Sequence, residues 1–543
     1  MKYVHTFWID EGKEPLEASF GWCSARYHLM SWALSCLQLH RFYDNVELIT
    51  DRKGKELLID QMKLPYKKVR IELDDLDFVE ISGLWVMKKI YSYTLHEEPF
   101  LNVDGDVFIF EPFPDNLLSG QLIAQNIEQD FDYYKELVGL VGNTFPFVPK
   151  PIKKQITEGL EIQASNAGIL GGNDYGFFKD YYQVVEKFIS ENHAQIAGLS
   201  PSQMVNFNAV VEQYIFYCLS NHKRLEVNYL LDTVYDPSFF ESFANFHHLP
   251  FKIPFMHALG DYKKNGWVCD QLANRLRMDY PEYYYRIIEF FESQAGDEKV
   301  HGGHGGFSNS LQLVSSFSIK YSSKSEDEKF SRTKDVISSI CNQEDFSTDI
   351  GKLSIFQAIE FLEKELTDSR SKTILNDVFD FEKEMIRLIH SLPHDDIIWD
   401  KEQEAIDRAN LAFATDHWKE RVMLKLSPLA MTIESEWDWS QNHVLFTRVK
   451  YNNIENNLTL EPYYYQTLLL PDKHHGEVIE YLLNPMETYL ISLLSKEGFI
   501  SFTEVTAQVN IFFENVNEEM VLTYLEEAIR FLAFSGVIIL KMD

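Results

Sequence analysis

The sequence predicts an α/β fold: a mostly parallel sheet with flanking helices, then a helical segment and a small C-terminal α+β module. Three observations predict it. Short apolar runs alternate with helix-spaced apolar segments over about the first 270 residues, the rhythm of a sheet covered on both faces. Near residue 295 the pattern breaks into glycine-, serine- and charge-rich stretches. The last 60 residues hold three helix starts with capping side chains and end on an apolar run.

Taken in order, Lys2–Trp8 is a short apolar strand and Ser24–His40 a helix. Val46–Asp51 is a second strand ending on an acid, and Lys68–Leu73 a third. Leu84–Leu95 is a helix rich in Trp, Met, Ile and Tyr, and Phe100–Val103 the strand after it. Ligands of such sheets bind at the carboxyl ends of the strands, so the residues just beyond each strand are the candidates for function. Farther on, Gln294–Ser310 and Ser322–Ser331 read as loop or linker. Ile355–Leu366 and Ile374–Leu392 are helical, and Leu429–Glu434 and Tyr463–Leu470 are strands. Asn484, Ser501 and Asn517 each precede an apolar helix as N-caps, and Gly536–Leu540 closes the chain as a strand. The expected domains are residues 1–295, 296–424 and 425–543.

Composition narrows the partners. At roughly 100–200 residues per domain, 543 residues make two to four domains. A formal charge of −33 argues against nucleic acid and against anionic lipid, both of which need basic surface. No stretch approaches the ~20 apolar residues of a membrane span. Asp10 and Glu11 interrupt the N-terminal apolar run before a signal peptide could form. The five cysteines are scattered, without a CxxC pair, so neither a disulfide framework nor a zinc site is expected. A cytoplasmic protein is the expectation.

The chemistry concentrates in Phe100-Leu-Asn-Val-Asp104-Gly105-Asp106. Two acids at i and i+2 on one strand face the same side, and at a strand end they can hold a divalent ion. The glycine between them lets a diphosphate approach. Acid-x-acid triplets are common in so acidic a chain; the preceding strand and the glycine distinguish this one from Asp75-Leu-Asp77 and Asp130-Phe-Asp132. A second segment, His257-Ala-Leu-Gly260-Asp-Tyr-Lys263, offers an imidazole for a transition ion such as Mn²⁺, a glycine and an ammonium for phosphate. Taken alone it could equally be a satisfied histidine and a surface lysine.

With these motifs, residues 1–270 resemble the GT-A glycosyltransferases that use nucleotide-sugar donors, in particular the glycogenin-like and DXD sugar-binding families. His5-Thr-Phe-Trp8, Val46–Asp51, Asp104-Gly-Asp106, Asn166-Ala-Gly-Ile-Leu-Gly-Gly172, Glu212-Gln213 and His257–Lys263 follow in family order. The resemblance implies a metal, Mn²⁺ or Mg²⁺, bound by Asp104, Asp106 and His257. It implies a UDP- or GDP-linked sugar contacted by His5, Trp8, Asp51, Asp104, Asn166, Gly260 and Lys263, and transfer with retention. It matches Glu212 loosely to a catalytic acidic residue near the sugar, although its position on the helical run Asn208–Leu219 favours a solvated acid. Asp51 could equally be a strand-end cap, and Asn166 part of a tight turn from strand to helix. The family motif continues Pro-Trp after the lysine, whereas this chain has Lys264-Asn265-Gly266-Trp267.

The C-terminal helices and strand are winged-helix-like, yet residues 485–543 carry nine acidic and three basic groups, net −6, which argues against a phosphate-binding role. They resemble the PqqD-like modules that present leader peptides, by an apolar pattern that a packing or dimerisation domain would share. The function expected is sugar transfer to an acceptor, a ribosomally made peptide or, alternatively, a capsule or lipopolysaccharide glycan. A non-catalytic scaffold on the same fold, a nucleotidyltransferase and a homodimer are left open. His301 and His304 between paired glycines read as a loop.

Overall fold

The computed structural model describes the chain except residues 10–18, 75, 77–80, 130, 160, 232–233, 236–245, 247–248, 250–253, 299–323, 344–349, 351–352, 392–396, 416, 429, 441–461, 473–476, 497, 515 and 543. His301, His304 and most of the expected linker therefore lie outside the described residues. The chain forms two compact units, Met1–Lys264 with Arg275–Gln294, and Asn265–Asn274 with Ala295–Asp543.

The first unit is α/β, as the sequence predicts. Its strands are β1 (Lys2–Phe7), β2 (Val46–Thr50), β3 (Lys68–Ile71), β4 (Phe100–Val103), β5 (Val107–Ile109), β6 (Leu122–Ala124), β7 (Ile127–Gln129), β8 (Gln163–Ser165), β9 (Ile169–Gly172), β10 (Val227–Tyr229), β11 (Val234–Tyr235) and β12 (Phe255–His257). Seven of them make the main sheet in the order β10-β6-β9-β4-β1-β2-β3. All its pairings are parallel except those of β9, which runs antiparallel to both β4 and β6. Strands β1, β2 and β4 are buried along their whole length, as befits strands covered on both faces. Helix α1 (Ala25–Phe42) buries Trp32, Leu34, Leu37 and Leu39. The short helix α2 (Arg52–Lys55) follows β2, and α3 (Val86–Tyr93) precedes β4.

Glycine decides several close approaches. At Gly171 and Gly172 a Cβ would lie 2.1 Å from Phe100 O and 2.2 Å from Gln121 O, so β9 can sit between its neighbours only with hydrogen side chains. The pair β5–β12 forms a separate antiparallel ribbon in which His257 stands opposite Val107. No alternating pattern marks these three-residue strands, and the sequence did not reveal them.

In the second unit, helices Ser331–Gln343, Ile355–Glu365 and Ser369–Ser391 share one core with Met431, Ile433, Trp437, Trp439 and Leu469. Arg332 ties the helices to a sheet. Its Nη2 lies 2.5 Å from Glu480 Oε1, while Glu382 accepts the backbone amides of Arg332 and Thr333 at 3.0 Å. That sheet is β14 (Thr432–Ser435), β15 (Tyr465–Asp472) and β16 (Glu477–Leu482); β13 (Val422–Leu426) precedes it and belongs to another. The expected boundary at 424/425 falls inside β13, and the helices before it share their core with side chains after it. Apolar contacts join segments far apart in the chain, and polarity along the sequence does not show that.

The three expected caps are in place. Asn484 accepts from Glu487 N at 3.0 Å, Ser501 from Glu504 N at 3.2 Å, and Asn517 from the amides of Glu519 and Met520. They start helices Pro485–Leu494, Phe502–Phe512 and Glu518–Phe534. Strands β17 (Ile500–Ser501) and β18 (Ile538–Met542) flank β13, antiparallel, in a three-stranded sheet. No helix of the described residues is long and apolar enough to cross a membrane.

Candidate functional site

Strand β4 ends at Val103, and Asp104-Gly105-Asp106 forms a tight turn into β5, closed by Val107 N on Asp104 O at 3.0 Å. The two acids thus flank a turn and do not share one strand face. The chain must leave the main sheet here because β5 pairs with β12. Helix α1 supports the turn from below. Ser31 Oγ donates to Gly105 O at 2.6 Å and Ser35 Oγ to Asp104 O at 3.2 Å. A Cβ on Gly105 would lie 2.4 Å from the Trp32 ring. The glycine therefore makes room for an indole, a different reason from the diphosphate approach the sequence suggested.

The β5–β12 register brings His257 to this turn, and Ala258 N donates to Asp106 O at 3.0 Å. Asp104, Asp106 and His257 each offer one ligand atom within 4.8 Å of the others, the only such group of three or more among the described residues. His257 Nε2 lies 3.4 Å from Asp106 Oδ1, and Lys263 Nζ is in close contact with Asp106 Oδ2. Lys263 arrives on a 3₁₀ turn, Gly260–Lys264, whose three-residue period puts it on the same side as Gly260. Gly260 has φ +47°, a conformation that favours glycine.

A buried lysine that sequence reasoning passed over completes the cluster. Lys89 Nζ lies 2.7 Å from Asp104 Oδ1 and 2.9 Å from Glu212 Oε1. Its signal was legible: with Val86, Ile90 and Tyr93 it falls on the apolar face of α3, where a lysine needs a buried partner. Glu212 is only 3% exposed and also accepts from Tyr93 OH at 2.6 Å. It is neither a solvated acid nor an open nucleophile. It sits in a π-helical turn, Val210–Tyr214, which lies between two α-helical stretches.

Burial pushes the Asp104 carboxyl up to about 6, against the pull of Lys89. Burial acts the same way on Asp106, but Lys263 and His257 hold that carboxyl well below its usual range. Burial would lower Lys89, yet Asp104 and Glu212 keep it above its ordinary value. Three carboxylates, two ammonium groups and the His257 imidazole thus share one cluster.

Other expected donor contacts lie elsewhere. His5 is fully buried, its Nδ1 2.6 Å from Tyr66 OH and its Nε2 3.1 Å from Ser35 Oγ; burial drives it down to about 3. With both ring nitrogens engaged in the core, it supports α1 and cannot touch a donor. Asp51 accepts Gly54 N at 2.7 Å and Ile9 N at 2.9 Å, which makes it the cap of α2. Trp8 is 7% exposed. Asn166 is 1% exposed; it accepts Gly168 N at 2.9 Å and donates to Glu128 at 2.7 Å, in a turn that joins two strands, β8 and β9. Gly168 O in turn accepts Asp104 N at 2.9 Å, which links this turn to the acidic one.

An α/β unit with an Asp-Asp-His group at the end of its central strand defines a candidate metal-binding protein. Residues 1–290 match a family described as one of unknown function, DUF6734, and the chain belongs to that family. No curated protein sequence matches it. Among solved structures it is similar to the glycosyltransferase GlyE of Streptococcus pneumoniae TIGR4, at 11% identity over 54% of this chain and 63% of that one, with a TM-score of 0.27. The galactosyltransferase LgtC, solved with donor and acceptor sugar analogues, is 12% identical over 39% of this chain and 70% of its own, TM-score 0.23. Mouse xyloside xylosyltransferase 1 is 12% identical over 43% and 84%, TM-score 0.21. The chain thus spans less than two thirds of the length of GlyE.

Proposed function

We propose that the first unit is a metal-dependent glycosyltransferase that takes a sugar from a UDP- or GDP-linked donor. The observation that carries this reading is the Asp104–Asp106–His257 group with Lys263 beside it. Two carboxylates and an imidazole suit a divalent ion such as Mn²⁺, with Mg²⁺ less favoured by the imidazole. Bound there, the ion would act as a Lewis acid for the charge developing on a departing nucleoside diphosphate. Lys263, partly exposed on its 3₁₀ turn, adds a second positive charge for the phosphates, and Gly260 lets them approach the backbone. Lys89 holds Asp104 in place and neutralises Glu212, which positions the acidic turn and does not attack the sugar. The Asn166–Gly168 turn lines the same edge.

Calorimetry with UDP and GDP, with and without Mn²⁺, and an assay of nucleotide-sugar hydrolysis test the reading. Binding and hydrolysis should need the metal and vanish in Asp106→Ala. An absence of metal-dependent nucleotide binding in the intact chain would overturn it. The configuration of the product, read by NMR, decides between retention and inversion.

We assign acceptor selection to the second unit, and the net charge of −6 over residues 485–543 supports a neutral or cationic acceptor such as a peptide. Removing residues 295–543, which takes out the unit's shared core whole, should abolish acceptor modification and spare donor hydrolysis. Loss of both activities would give the unit a structural role.

A further inference from the structure

His257 can serve as a metal ligand through Nε2 only if its proton sits on Nδ1, and the neutral ring allows either tautomer. The structure contains a device that chooses. Asn126 Nδ2 lies 3.1 Å from the backbone carbonyl of Ile127, which can only accept. The donor end of that amide is therefore fixed, and its Oδ1 is left to accept from Gln125 Nε2 at 3.0 Å. The Gln125 amide is then oriented in turn, with Oε1 facing His257 Nδ1 at 2.8 Å. Gln125 and Asn126 are fully buried and His257 is 5% exposed, so water does not compete along the chain. Gly168 gives the pair its space: a Cβ there would lie 2.2 Å from Gln125 Oε1 and 2.4 Å from His257 Nδ1.

We infer that Gln125, oriented by Asn126 from the Ile127 carbonyl, is a positioning residue that holds a proton on His257 Nδ1 and so leaves Nε2, 3.4 Å from Asp106 Oδ1, as the nitrogen that faces the metal group. The chain of bonds runs one way because each amide has one donor end and one acceptor end, and its first partner is a backbone carbonyl. Gln125, the residue just after β6, reveals nothing of this in sequence, since Gln125 and His257 are 132 positions apart. The role in metal affinity rests on the proposed metal site; the tautomer does not.

The test is nitrogen-15 NMR of histidine-labelled, metal-free full-length chain, with the His257 signals assigned by their loss in His257→Gln. A protonated Nδ1 is expected; a bare Nδ1, with the proton on Nε2 alone, would overturn the inference. Gln125→Met keeps the length of the side chain without the acceptor, and Asn126→Leu frees the Gln125 amide to turn over. Both should lose the tautomer preference and weaken Mn²⁺ binding about 10–100-fold by calorimetry. A folded variant of either kind with the wild-type tautomer would sink the proposal. If the wild type binds no Mn²⁺ yet shows the Nδ1–H tautomer, the metal reading fails and the positioning role of Gln125 stands.

Discussion

The Lys89 ammonium lies 2.7 Å from Asp104, and the same nitrogen reaches Glu212 at 2.9 Å, so one buried cation holds together the acidic turn after β4 and the π-helical turn Val210–Tyr214. Removing one partner of a buried ion pair strands the other in a medium that solvates charge poorly. Lys89→Met should therefore destabilise the chain by about 3–5 kcal/mol, read by urea unfolding. Adding Glu212→Gln should recover part of that loss. An additive double mutant would show that the two residues do not depend on each other.

Two glycines beside the site should fail in different ways. In Gly105→Ala the new methyl meets the Trp32 ring, and overpacking of this kind costs about 1–3 kcal/mol. In Gly168→Ala it meets Gln125 and His257, and Mn²⁺ affinity should fall about 10–100-fold beyond any cost in stability. Thermal unfolding and metal titration of the two variants separate these effects. Equal metal affinity in both would contradict the assignment of Gly168.

Asp51 accepts two backbone amides, Gly54 N and Ile9 N, so Asp51→Ala should act on stability before it acts on nucleotide. Loss of an N-cap costs about 0.5–2 kcal/mol. The KM for the donor should stay within about twofold of wild type once the folded fraction is equal. A large rise in KM would restore Asp51 to the nucleotide site.

Burial pushes the Glu487 carboxyl up to about 7 from 4.5, while Asn484 N and Tyr481 OH oppose the shift. The folded state then holds the proton more tightly than the unfolded one. Its stability contribution is complete below about pH 4.5 and is lost as pH rises toward 7, a change of up to about 3 kcal/mol. Glu487→Gln keeps an acceptor for Asn484 N, 2.9 Å away in the wild type, and should remove most of that slope. Unfolding at pH 5 and pH 8 checks it; an unchanged difference between the two would refute the assignment.

Much of the architecture is local and could be read along the chain. Strand β4 lies where its apolar run puts it, Phe100–Val103, and Asn484, Ser501 and Asn517 cap the helices their side chains announce. Capping and alternation depend on neighbours a few positions apart, so they survive without a fold. The acids Asp104 and Asp106 were legible for the same reason, as was the spacing from His257 to Lys263.

What places these two segments together was not legible. It depends on the antiparallel pairing of β5 with β12, which sets His257 opposite Val107 across 150 positions. The roles of His5, Asp51, Lys89 and Glu212 were likewise decided by enclosure: each carries a group able to bind a ligand, and each has that group engaged by a buried neighbour. The sequence by itself determined the α/β class, the helix caps and the residue types of the metal group. Only the tertiary structure decided which of those groups face one another and which are closed off, because burial and hydrogen-bond partners are properties of contacts between distant segments.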